Sequence, residues 1–404
     1  MGQQLRPRRW YQRAIAVALV FYSLLVVLST ARVAHADGGA PNLAYVAGAG
    51  NAGTSVAIID LAKQQVTGTI DVSEKPAGLV LSTDAHYAYI VQSIAHQVAI
   101  ADAQQKKIIA QVSTGLTPRA IAIDVSSGTT LLYVANSGDN SLSIISPDKR
   151  QSLATISVGE QPVSVAIAGA GSGIANVVDP EVYVANEAGA SVSILSTQRR
   201  QIVATVALTT HPVAIVVPAS GGVAYVATQE GTVEAIHLIS HRLLGTVVTI
   251  PDAHFGTMDY DAITGQIYLP DATNHVVHIL APVSLPTNGS LRVPQEPIHT
   301  ITTMRNPTAV AITFDGTIGA VAEQNSGNLL LFDATNRQTL ANIAVGGTPV
   351  AVIMGSYPPL LNSQAASIIG FGIVGAVVLI VIGTAIFFER RYRREKRMLS
   401  TNAP

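Results

Sequence analysis

Ten histidines and no cysteine set the first limit on the chemistry open to this chain. Without thiolates there is no disulfide, no thiolate metal site, no lipid-modified cysteine and no covalently held haem. Two histidine pairs stand close in sequence. His275 and His278 are three apart in a predicted strand, where odd spacing sends side chains to opposite faces, so they cannot chelate one metal and read as surface histidines. His237 and His241 span a strand and a turn, where the four-residue helical ligand spacing does not apply. No nucleophile elbow, phosphate loop or EF-type calcium loop occurs, so no metal and no cofactor is expected. What remains is a set of polar residues at recurring places. Lys75, Arg119, Glu160, His211, His254 and Arg305 stand close to the start of a strand. Asn136, Asn186, Glu230, Asp271 and Glu323, with Asp139, Glu187, Gln229 and Gln324, follow the end of another. Arg119, His211, His254 and Arg305 would meet an anion if the fold brought them together.

The elements that carry these residues repeat. The clearest copy, residues 131–168, reads LLYVANSGDNSLSIISPDKRQSLATISVGEQPVSVAIA. A strand ending in Ala135 is followed by the turn 136–140, and Leu142, Ile144 and Ile145 mark a second strand by period-two alternation. The turn 146–150 leads to a third strand stopping at Gly159, and Pro162 opens a fourth. Proline lacks an amide donor, which the first position of a strand tolerates. One such sheet cannot bury both faces, so copies must stack.

Two markers run in phase through the chain. The aromatic of the first strand is Tyr45, Tyr89, Tyr133, Tyr183, Tyr225 and Tyr268, with Ala320 in the last copy. The strand-opening proline is Pro76, Pro118, Pro162, Pro212, Pro307 and Pro349, with Phe255 where the fifth copy lacks one. Two long spacings are accounted for by insertions at 170–180 and 283–297, both in turns. Four strands recurring every 40 to 50 residues predict a propeller, all-β, with seven blades. With the proline strand innermost, the chain begins with three outer strands, 43–72, and ends with a lone inner strand, 349–354. Pairing 350–354 with 43–47 would complete the seventh blade from both ends and leave no open edge. The tyrosines are expected to fill the wedges between blades.

In a propeller, loops leading into inner strands and loops leaving second strands converge at one end of the central channel. That places the two polar sets at a single mouth, either a solvated rim or a site for a small-molecule or protein ligand.

The repeats resemble the YVTN-type β-propeller family, whose unit runs Y-V-x-N, V-x-V-I-D, a-T-I-x-V-G and P-x-x-v-a. LYVAN (132–136), VAIID (56–60), ATISVG (154–159) and TPRAIAI (117–123) match those segments, and the resemblance covers about 43–354. It departs at Phe255 and Ala320. The family implies a seven-bladed, usually extracytoplasmic propeller, often a surface or binding protein. Similar propellers include lactone hydrolases and domains holding haem, copper or quinone centres; the histidines here do not recur at one blade position, as a copper site would ask.

The ends of the chain differ from its middle. Arg6, Arg8, Arg9 and Arg13 precede an apolar run from 14 to 28, and Ala34-His35-Ala36 offers a cleavage site, which together read as a secretory signal peptide, 1–36. The propeller takes 37–355, and 356–367 is a short linker. Residues 368–388 are 21 without a charge, long enough for a membrane-spanning helix, and the basic tail 389–404 belongs on the cytoplasmic side. The propeller would then face outward. Between Asp37 and Phe388 there are 13 basic and 23 acidic residues, the opposite of a nucleic-acid footprint. The expected function is a membrane-anchored extracytoplasmic binding or protein-interaction module. The alternative is a lactonase-like hydrolase on the same scaffold.

Overall fold

A computed structural model describes residues 43–355 except 127, 169–178, 219–221, 286–290 and 295–297. The signal segment, the linker, the apolar run 368–388 and the basic tail lie outside the described residues. No helix among the described residues is long and apolar enough to cross a membrane.

The described strands form seven four-stranded antiparallel sheets, the blades of a propeller. Blade 3 shows the plan: Pro162–Ala168 innermost, then Glu181–Asn186, Ser191–Ser196 and Gln201–Ala207 at the rim. Blades 1, 2, 4, 5 and 6 begin at or near Pro76, Pro118, Pro212, Phe255 and Pro307. Blade 7 joins Ala351–Gly355 to Leu43–Ala49, Ser55–Asp60 and Gln65–Asp71. Its closing register pairs Leu43 with Gly355, Tyr45 with Ile353 and Ala47 with Ala351, as the repeat phasing required. The rest of the hydrogen-bonding edge of the first strand is thereby satisfied by the last.

Packing follows from alternation. Each second strand is buried on both faces, and its residues divide between the two neighbouring blades. In the first segment of the chain, Leu43, Tyr45 and Ala47 join Leu79, Leu81 and Ile90 of blade 1, whereas Ala44 and Val46 join Ala309, Ala320 and Leu329 of blade 6. Seven such apolar clusters occupy the seven gaps between blades and close the ring. Tyr45, Tyr89, Tyr133, Tyr183, Tyr225 and Tyr268 are all at most 2% exposed within them. Burial pushes the phenols of Tyr89, Tyr133, Tyr183, Tyr225 and Tyr268 upward, so they are neutral fillers.

Two departures in sequence have structural counterparts. Phe255 takes the proline position, bridges to Asp271 and is buried, but the inner strand of blade 5 shrinks to Asp259–Tyr260. Ahead of it, Thr257 pairs in parallel with Ala309 of the next blade. Where Ala320 replaces tyrosine, Phe332 is the large side chain of blade 6 and stacks on Tyr268 at 5.9 Å. Gly319 is required beneath that ring, since a Cβ there would come within 1.9 Å of it. The insertions fall between strands, as expected.

Candidate functional site: the channel mouth

The mouth is built by the meeting of three backbone pieces in each blade: the crossing from the previous blade, the first residue of the inner strand and the end of the second strand. Pro118 pairs with Asn136, Pro162 with Asn186, Pro307 with Glu323, and Phe255 bridges to Asp271. The carbonyl before the proline then accepts the N–H just beyond the second strand, as Gln161 does from Glu187 and His211 from Gln229, each at 2.9 Å. A bulge follows in the inner strands that open with proline, with the register shifting between Pro118 and Ala120 in blade 2. The residue left out of the ladder there is Arg119, and a bulge re-aims the side chain it carries. Its guanidinium is half exposed and lies 3.6 Å from Glu187 of blade 3. Glu187 in turn accepts from Gln229 of blade 4. One polar chain therefore spans three blades at the rim.

Lys75, Arg119, Glu160, His211, Glu230, His254 and Arg305 are exposed at this end. His211 Nδ1 meets Glu230 Oε1 at 3.2 Å, and His254 Nδ1 meets Thr273 Oγ1 at 3.0 Å. Desolvation pulls the carboxyl of Glu230 upward, but hydrogen bonding, with His211 foremost, outweighs it and holds it below the usual range. Among the described residues, no hydrogen bond or ion pair joins Arg119, His211, His254 and Arg305 to one another. They are distributed around the rim of blades 2, 4, 5 and 6.

Asn136, Asn186, Asp271 and Glu323 belong to a different layer. All four are fully buried and close the turn between second and third strands onto the incoming crossing. Asn136 Nδ2 donates to Ser141 and Ser143, both at 2.9 Å, and Ser143 Oγ accepts the N–H of Gly115 in the crossing. Asn186, Ser191, Ser193 and Gly159 repeat that arrangement. The approach is so close that a Cβ on Gly115 or Gly159 would fall within 2.7 Å of the asparagine side chain. Asp271 accepts the N–H groups of His254, Thr273 and Asn274, the Asn274 amide at 2.6 Å and His278 Nε2 at 3.0 Å. Its burial favours the neutral acid, but these donors prevail and lower its pKa. Glu323 accepts from Met304 N and Ser326 Oγ, and there burial prevails and raises the pKa. His278 is accordingly not a surface histidine: it is buried against Asp271 and meets Phe255 edge-on. His275 sits outside the strand, in the turn before it, and is exposed.

A further layer had no obvious signal in sequence. His96, Asn140 and His275, each four residues beyond Gln92, Asn136 or Asp271, adopt left-handed backbone with φ of 51°, 55° and 54°. Their side chains accept the N–H of Thr117, Gln161 and Asn306, the residues just before the next blade's proline. Their shared offset is the feature that could have found them. Below the rim the channel wall is mostly apolar: PVSVAIA, PVAIV, PTAVAI and AVIMG line four of the seven blades. Asp259 is an acidic interruption, half-buried by surface area but with its carboxylate lodged among the inner strands, where it accepts Ile312 N at 2.7 Å. Burial pushes it up to about 6.

No family model and no curated protein matches the chain. Solved structures do. Hydrazine synthase of Kuenenia stuttgartiensis is similar over 70% of this chain and 90% of its own, with TM-score 0.57 and 17% identity. A functionally unknown protein from Desulfotomaculum acetoxidans matches 78% of this chain and 99% of its own at TM-score 0.63 and 13% identity. Dihydro-heme d1 dehydrogenase NirN, in complex with DHE, covers 77% and 75% at TM-score 0.52 and 15% identity. At these identities the likeness establishes the propeller and no chemistry.

Proposed function

We propose that this chain is an exported YVTN-type propeller, held at a membrane by the apolar segment 368–388, whose mouth serves as a binding module for a protein or small-molecule ligand. The observation that carries the reading is where the chain joins the ring. It enters at Leu43 and leaves at Gly355, which are register partners at the end opposite the mouth. Both points at which the chain joins the ring therefore lie away from the mouth. The rim chain Arg119–Glu187–Gln229 and the exposed Arg305 offer a ligand both charge and hydrogen-bond donors.

The chain lacks cysteine, so a photo-crosslinker is readily placed at a single introduced one. A benzophenone attached to Leu116→Cys at the mouth is expected to give a discrete adduct in intact cells. Adding Arg119→Ala and Arg305→Ala should abolish that adduct. Absence of any mouth adduct, together with turnover of aryl esters or lactones by the purified chain, would instead establish the hydrolase.

A further inference from the structure

The end of the propeller opposite the mouth has its own chemistry, set by the turns between third and fourth strands. These turns carry Lys106 and Lys107 in blade 1, Lys149 and Arg150 in blade 2, and Arg199 and Arg200 in blade 3, all exposed. Many of the carboxylates at this end are drawn inward by their own turns, those between third and fourth strands or between inner and second strands. Asp102, Asp124 and Asp261 are at most 5% exposed and accept N–H groups of their own loops. Asp84, Asp148 and Asp315 are the carboxylates exposed there among the described residues. With those anions bonded inward, the cations form the outer layer of this face, Lys106 donating to Thr67 O at 2.8 Å and Arg199 lying 3.9 Å from the partly exposed Asp179, although the propeller as a whole is acidic.

The backbone marks these cations as costly. In blades 1 to 3 the residue before the fourth strand is left-handed, with φ of 57° at Lys106, 54° at Arg150 and 52° at Arg200; in blade 7 Gln64 takes the same place at 54°. Glycine or asparagine relieves such a position, and lysine or arginine does not. Turn geometry therefore does not explain why basic side chains stand at this place in three consecutive blades.

The next three blades expose apolar side chains at the same end. Ile239 of blade 4 is 70% exposed, Ile263 of blade 5 is 69% and Phe314 of blade 6 is 67%. Blade 7 contributes Leu43 and Gly355, where the chain joins the propeller. After Gly355, residues 356–367 lead to the uncharged run 368–388. A linker of that length reaches about 40 Å when fully extended. On the membrane reading, that reach would hold this face at high effective concentration with respect to the bilayer, where weak contacts suffice.

Resting on the membrane reading above, we propose that this end of the propeller seats on an anionic bilayer surface. The cationic turns of blades 1 to 3 meet lipid phosphates, and Ile239, Ile263 and Phe314 enter the headgroup layer. Exposed cations beside apolar side chains are the combination that interfacial binding uses.

The test uses the full chain in vesicles of phosphatidylglycerol and phosphatidylcholine, with an environment-sensitive dye on a single introduced cysteine. Melting curves matching the parent confirm that each labelled chain is folded. Spin-labelled lipid is expected to quench a dye at Ile263→Cys at least about threefold more than one at Leu116→Cys on the mouth. That contrast should vanish in phosphatidylcholine alone, and in a variant carrying Lys106→Glu, Lys107→Glu, Arg199→Glu and Arg200→Glu. Flotation with the vesicles reports the anchor separately. A chain that does not float overturns the anchored reading and this proposal with it. A chain that floats with equal quenching at both labels overturns the seating alone, as does a contrast indifferent to lipid charge. Disulfide-linked dimers of unlabelled Ile263→Cys forming in place of quenching would assign the face to a second copy.

Discussion

At the end of the second strand, blade 3 carries Asn186, whose amide bridges Ser191 and Ser193, while blade 5 carries Asp271, whose carboxylate gathers three N–H groups, Asn274 and His278. Both residues are fully buried and both secure the crossing from the preceding blade. The amide does so by proximity: it needs glycine at 159, and its Oδ1 has no partner among the described residues. The carboxylate does so by charge-assisted acceptance, stronger per bond and dependent on its ionisation. One structural task is therefore coupled to pH in blade 5 and uncoupled from it in blade 3.

The severest way to break this contrast is Asp271→Ala, which leaves several buried donors without an acceptor. A loss of about 3 kcal/mol or more is expected by denaturant unfolding. Asp271→Asn should recover part of it, because the amide still accepts but cannot match the carboxylate. In blade 3, Gly159→Ala forces a methyl group against Asn186 and should cost about 1 to 3 kcal/mol. An equal or smaller loss from Asp271→Ala than from Gly159→Ala would remove the distinction.

Acid titration sharpens it. Asp271 has a depressed pKa, so its contribution is complete above the ordinary carboxylate range and is lost as pH falls through the folded value. Asp259 runs the other way: folding favours its proton, so stability falls as pH rises from the ordinary carboxylate range to about 6. Melting temperature against pH should accordingly show a shallower acid limb in Asp271→Asn, with Glu230 and Asp315 supplying the remainder, while Asp259→Asn should gain stability above pH 6 relative to the parent. Arg119→Ala marks the small end of the scale. Its pair with Glu187 is exposed, so a change of at most about 0.5 kcal/mol is expected, even though binding at the mouth should be lost once Arg305→Ala is added.

The blade count was legible because tyrosine and proline recur in phase, and both mark positions with a packing reason. Pro118 and Tyr133 could be assigned to neighbouring strands of one blade by sequence alone, and the two ends of the chain could be paired likewise. Asn136, Asn186, Asp271 and Glu323 were harder to place. A polar residue closing an apolar run looks like the start of a turn, yet each is the last residue of the ladder and opposes the first of the inner strand. His278 was obscured for a related reason, since its bond to Asp271 crosses a hairpin whose register no spacing rule supplies. Arg119, in contrast, was placed at the rim by its position next to Pro118. The bulge that makes this true is invisible in composition.

The seventh sheet also imposes a schedule on biosynthesis. Its first strand, Leu43–Ala49, is made some three hundred residues before its partner, Ala351–Gly355. At roughly 5 to 20 residues per second the wait is on the order of 15 to 60 seconds. Throughout that delay a wholly apolar ribbon offers bare amides and carbonyls to any passing chain. The nascent polypeptide is most vulnerable to mispairing just before its final turnstile clicks shut, which is when a holding chaperone would matter most.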